Sequence, residues 1–134
     1  MLAAHAAATF VKSAIKSSID RTRPATAIEH GKARFEPGES DAHEQTSFPS
    51  GHTAGAVAVA RAISRDVDGA GAPAALISSA VAAAQPVNGK HYLSDLVVGA
   101  AVGWVAEALV SAVFDRIAPV IEGQVAAATD PAEA

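Results

Sequence analysis

The chain has 134 residues, half of them apolar and most of those alanine or valine, with a formal net charge of −4 and no cysteine. That length bounds it to one domain around a single core. The missing cysteines exclude disulfides, thiolate zinc sites and cysteine nucleophiles together, and the acidic balance argues against a nucleic-acid surface.

In chain order, residues 1–8 lack the basic start and cleavage site of a secretory signal peptide. Residues 1–19 contain neither Gly nor Pro and repeat apolar side chains at helical spacing, Phe10 with Ala14 and Val11 with Ile15, which predicts a first helix. Lys12 and Lys16 stand one turn apart on it and share a face, as a solvated stripe or as cations aimed at the end of a bundle. Arg23-Pro24 closes this segment, because the residue before a proline is pushed out of the helical region. Residues 25–48 are polar, carry Gly31, Pro37 and Gly38, and read as one long loop.

A second helix is expected from Ser50 to about Asp66, with Ser50 as its N-cap. The turn at Asp68-Gly69-Ala70-Gly71 leads to a third helix from Pro73 that Pro86-Val87-Asn88-Gly89 stops. The fourth should run from Leu93 or Ser94 to about Ile117, with Asp95 favourable in its first turn. The expected fold is therefore all-α, an antiparallel bundle of about four main helices with a long polar loop between the first and second. Its domain would span residues 1–122, with a flexible tail over 123–134.

Up-and-down packing would bring four helix ends to one place. Lys16, Arg23, Ser50, Gly51, His52, Gln85, Lys90, His91 and Asp95 would gather there from distant parts of the chain. The start of the second helix, Pro49-Ser50-Gly51-His52, reads as an anion seat: first-turn N–H groups point outward, Gly51 permits close approach, and the helix end carries about half a positive charge. His91 and Asp95 are four apart, so a carboxylate there can fix the imidazole tautomer and leave the other nitrogen free. With Lys16 and Arg23 matching phosphate oxygens, the set suits phosphoryl transfer, one histidine attacking phosphorus and the other protonating the leaving oxygen.

Lys16-x6-Arg23-Pro24, then Pro49-Ser50-Gly51-His52, then His91-x3-Asp95 resemble the three-part signature of the type-two phosphatidic acid phosphatase and vanadium haloperoxidase superfamily, over about residues 12–104. The resemblance implies that Lys16, Arg23, Ser50 and Gly51 bind phosphate, that His52 is the general acid and that His91 forms a phosphohistidine with Asp95 orienting it. It implies no cofactor or metal, and vanadate as an inhibitor. The third motif of that family begins with Ser-Arg, where this chain has Ala84 and Gln85; Gln85 is still expected to bind phosphate by one hydrogen bond but brings no charge. Loss of a charged hydrogen bond to phosphate costs about 1.5–3 kcal/mol, or one to two decades in rate. Lys90 and Arg21 are the cations left to substitute in part.

Three functions are thus in view. The first is a phosphatase acting on a phosphomonoester or a diphosphate, lipid-linked if the helices lie in a membrane. The second is a phosphate-binding or assembly module that no longer turns over because of Gln85. The third is a vanadate-dependent haloperoxidase. Residues 96–114 form an apolar run broken only by Glu107, near the ~20 residues needed to span a bilayer. Membrane association is expected, with the site end facing away from the side carrying Arg61, Arg65 and Arg116; a small soluble helical protein is the alternative, and a homodimer would complete a small core. His5, His30 and His43 have no partner at recognisable spacing and stay outside the expected site, and the acidic run Glu36, Glu39, Asp41 and Glu44 lacks an EF-hand pattern. Trp104 reads as packing.

Overall fold

A computed structural model describes residues 1–129. It is an all-α bundle with one very small sheet. The order is α1 (Leu2–Lys16), β1 (Ile19–Arg21), α2 (Pro24–His30), β2 (Phe35–Pro37), a 3₁₀ turn at His43–Gln45, α3 (Gly51–Asp66), α4 (Gly71–Val87) and α5 (Leu93–Thr129). Helix α3 is the centre: it packs against α1, α4 and α5, and α1 also lies on α5.

The core follows from composition. Ala4 and Ala8 of α1, Ala58 and Ala62 of α3 and Ala106 of α5 form it, and none carries more than a methyl group. Side chains that small let backbones come close. The closest approach is at two glycines of α5, one turn apart. A Cβ on Gly103 would lie 2.2 Å from the Ala54 carbonyl oxygen, and one on Gly99 would lie 2.5 Å from that of Ser50. Here α5 lies directly on the first turns of α3, and the Ser50 N–H donates to the Asp95 carbonyl at 3.0 Å.

The polar stretch expected to be one long loop is built. Pro24 opens α2 at a first-turn position, where its missing N–H costs nothing, and Gly31 closes it in the left-handed region at φ 64°. Strands β1 and β2 pair antiparallel in the register Ile19 with Pro37, Asp20 with Glu36 and Arg21 with Phe35. Side chains add to this frame: Thr22 Oγ1 accepts from the Arg34 N–H at 3.2 Å and Asp20 Oδ1 from the Ser40 N–H at 2.9 Å. Elements this short carry no apolar period, so nothing in the pattern announces them. For the same reason α1 stops at Lys16, short of the expected position 19, and the chain turns into β1.

Helix α4 stops within Pro86-Val87-Asn88-Gly89, as expected, while a second proline sits inside α5 without ending it. Pro86 lies in the last turn of α4, and α5 passes through Pro119 to Thr129, beyond the end expected near Ile117. Of the tail expected over 123–134, residues 130–134 lie outside the described residues.

Candidate active site

The C-terminal end of α1, the start of α3 and the entry to α5 meet at one end of the bundle, around a cavity of about 280 Å³. Lys12 and Lys16 reach it from α1, Gly51 and His52 from α3, and Lys90 and His91 from the turn before α5. Arg23, His43 and Thr46 close it from the segment between α1 and α3. No residue in this lining is acidic.

Each group is held by something nameable. His91 is 3% exposed, and its Nδ1 lies 2.6 Å from the Ser47 carbonyl oxygen. A carbonyl only accepts, so Nδ1 carries the proton and the Nε2 lone pair is left free. Asp95 Oδ2 is further from the same nitrogen, at 3.6 Å. The Asp95 carboxylate, fully buried, accepts from Ser47 Oγ and Arg21 Nη1 at 2.5 Å each and from the Tyr92 N–H at 2.9 Å. Asp95 therefore fixes Ser47 and the start of α5, and Ser47 in turn fixes the imidazole.

Arg23 is the residue before α2. Its Nε donates to the His43 carbonyl at 2.7 Å and its Nη1 to the Lys90 carbonyl at 3.4 Å, which leaves further N–H groups of this cavity-lining side chain without a partner among the described residues. Ser50 is buried: its Oγ accepts from the Thr53 N–H at 3.4 Å and lies 3.0 Å from Thr53 Oγ1. Its hydroxyl thus caps α3, and the first-turn N–H groups of Gly51 and His52 have no acceptor within the helix. Gly51 has a second use. A Cβ there would sit 3.1 Å from Lys12 Cδ, so the bare backbone lets that lysine cross the helix start.

The cations crowd one another. Burial first, then the charges of Arg23 and Lys12, pull the Lys16 ammonium down to about 8, with Asp95 pulling the other way. His52 is pushed below its ordinary value by burial and then by His91, Lys90, Arg23 and Lys16. Groups that lower each other in this way gain from an anion placed among them.

Of the residues the sequence singles out, Lys16, Arg23, Gly51, His52 and His91 line the cavity, while Ser50 and Asp95 stand behind it. Gln85 does not reach it. That side chain is 7% exposed, donates from Nε2 to the Val81 carbonyl at 3.1 Å, and has no partner for Oε1 among the described residues. Arg21 is engaged elsewhere: it binds Asp95 and stacks over Tyr92 and Phe35, 4.2 and 5.0 Å from the ring centroids. It is not a stand-in for a phosphate-binding arginine. His43 and Lys12 enter the lining although pattern reasoning keeps His43 out and leaves Lys12 open; the Lys12/Lys16 spacing was the one available signal. Among the described residues no group of three or more His, Asp or Glu is placed to hold a metal ion.

A helical bundle whose helix ends converge on such a cation-lined, histidine-bearing cavity is suited to hold an anion. Residues 1–118 match the PAP2 superfamily, and the chain belongs to it, which makes it a phosphatase-type hydrolase. No curated protein and no solved structure matches the chain. Among the described residues one helix, over Leu93–Val125, is long and apolar enough to cross a membrane, and only 28% of its most apolar window is buried against the rest of the protein.

Proposed function

We propose that this protein hydrolyses a phosphomonoester or a diphosphate through a phosphohistidine on His91, without a metal ion. The observation that carries the reading is the fixed His91 ring: the Ser47 carbonyl holds Nδ1–H, and the other nitrogen belongs to a cavity walled by cations. Lys16, Arg23 and the N–H groups at Gly51 and His52 would bind the phosphoryl oxygens. His91 Nε2 attacks phosphorus as the bond to the leaving oxygen breaks, and that oxygen takes its proton from His52. Water then attacks the phosphohistidine, His52 accepts the water's proton, and inorganic phosphate leaves with His91 restored. His52 is held low by burial and by its cationic neighbours, so an arriving phosphate dianion raises it and favours the protonated acid the first step needs.

A lipid-linked substrate goes with membrane association, which the largely unburied apolar length of α5 supports. The site end would then face away from the side carrying Arg61, Arg65 and Arg116. The test is hydrolysis of p-nitrophenyl phosphate in excess chelator. Activity should persist there, fall with orthovanadate, and drop by about 10³-fold or more in His91→Ala. Full activity in His91→Ala, or loss with the chelator, overturns the reading. The buried Gln85 favours a second reading, a phosphate-binding module without turnover. Orthophosphate binding with no hydrolysis in either the native protein or Gln85→Arg would select that module.

A further inference from the structure

Two lysines in the cavity wall belong to none of the motifs that led to this site. Lys12 and Lys90 both line it, and neither has a carboxylate partner among the described residues. Lys90 is the more telling. Its backbone is pinned on both sides: the N–H donates to the Gln85 carbonyl at 3.1 Å, and the carbonyl accepts from Arg23 Nη1 at 3.4 Å. Only the side chain is free to swing, and it stands at the exposed rim beside the nucleophile. Gln85, five positions earlier, is turned into the protein and bonded to its own helix. The wall therefore receives no charge from position 85 and one full charge from position 90.

We propose that Lys90 binds the transferring phosphoryl group directly, with Lys12 supporting Lys16 on the opposite wall across Gly51, and that Lys90 supplies the charge Gln85 does not. This rests on the phosphoryl-transfer reading of the site but assigns it a new catalytic residue. A flexible ammonium is a point charge without a fork, so it restores electrostatic stabilisation with little directional demand. Its position next to His91 suits it to an oxygen that stays on phosphorus throughout.

The experiment uses the full chain with Lys90→Met, Lys90→Arg, Gln85→Arg and the Gln85→Arg/Lys90→Met pair, all carrying the native backbone at position 90. Two readouts are taken, kcat/KM on p-nitrophenyl phosphate and calorimetric affinity for orthophosphate. Lys90→Met should lose about 10- to 100-fold in both, the range of one charged hydrogen bond. Lys90→Arg should stay within severalfold of native, and Lys90→Met should cost less when Gln85→Arg is also present. Lys90→Met within twofold of native in both readouts overturns the proposal. So does an equal loss in Lys90→Arg, which would mark a structural role. If the native protein binds orthophosphate through Lys90 yet hydrolyses nothing, the assignment of Lys90 to phosphate stands and the phosphatase reading falls.

Discussion

The two ends of the bundle carry similar side chains in opposite arrangements. At the far end, Arg61, Arg65, Glu107 and Asp115 line a cleft of about 520 Å³, roomier than the cavity of about 280 Å³ at the histidine end. Every charge in that cleft is matched. Arg61 Nε donates to Glu107 Oε2 at 2.8 Å and its guanidinium stacks 4.5 Å from the Trp104 ring centroid, Ser111 Oγ donates to Glu107 Oε1 at 2.5 Å, and Arg65 pairs with Asp115. At the histidine end Lys12, Lys16, Arg23 and Lys90 face a wall with no carboxylate. Volume therefore does not mark the site. What marks it is positive charge left for a ligand to neutralise, while the matched end holds α3 to α5.

That contrast can be broken at either end. The largest effect within it should come from His52→Asn, which removes the proposed proton donor: turnover of an alkyl phosphate should fall by about 10²–10⁴. The loss should be smaller on p-nitrophenyl phosphate, whose leaving group needs less help. Equal losses on the two esters would mean that His52 does not deliver the proton. At the matched end, Arg61→Ala strands a carboxylate that is 2% exposed. Chemical denaturation should show a loss of about 2 kcal/mol, less than the ~3–5 of a fully buried pair because Arg61 itself is 38% exposed. Orthophosphate affinity should not move; a drop would show that the two ends are coupled.

A finer test uses pH. The unfolded chain holds the Lys16 proton to about pH 10.5 and the folded chain only to about 8. Between those values unfolding takes up a proton, so in phosphate-free buffer the Lys16 contribution makes stability rise with pH across that window. Lys16→Met should flatten the rise, measured by melting at a series of pH values, and an unchanged slope would mean the crowding is not felt. Smallest of all, Arg65→Ala should leave both melting and phosphate binding near native, because that pair lies in solvent.

Much of the fold was legible because it depends on periodic pattern and on short connections. Apolar spacing marks the helices, and the tight turns between α3, α4 and α5 force their ends together, which is how His52 and His91 can be paired from sequence across 38 intervening residues. The site's supporting parts were not legible, for physical reasons. Ser47 contributes through its backbone carbonyl as well as its hydroxyl, and no residue identity encodes where a carbonyl will point. Arg21 looks like a spare cation until β1 places it on Asp95. Glu107 interrupts an apolar run for no visible reason until Arg61 is found across the interface. His43 arrives on a 3₁₀ turn too short to leave a pattern.

Two absent side chains set the spacing between the two cavity histidines. His52 rides on α3 and His91 is mounted at the head of α5, and those helices are spaced by the contact of Gly99 and Gly103 with the Ser50 and Ala54 carbonyls. A methyl group at either glycine is a wedge, and whatever it prises apart it prises apart at both imidazoles. The spacing of the two imidazoles is thus kept by residues that own no functional group.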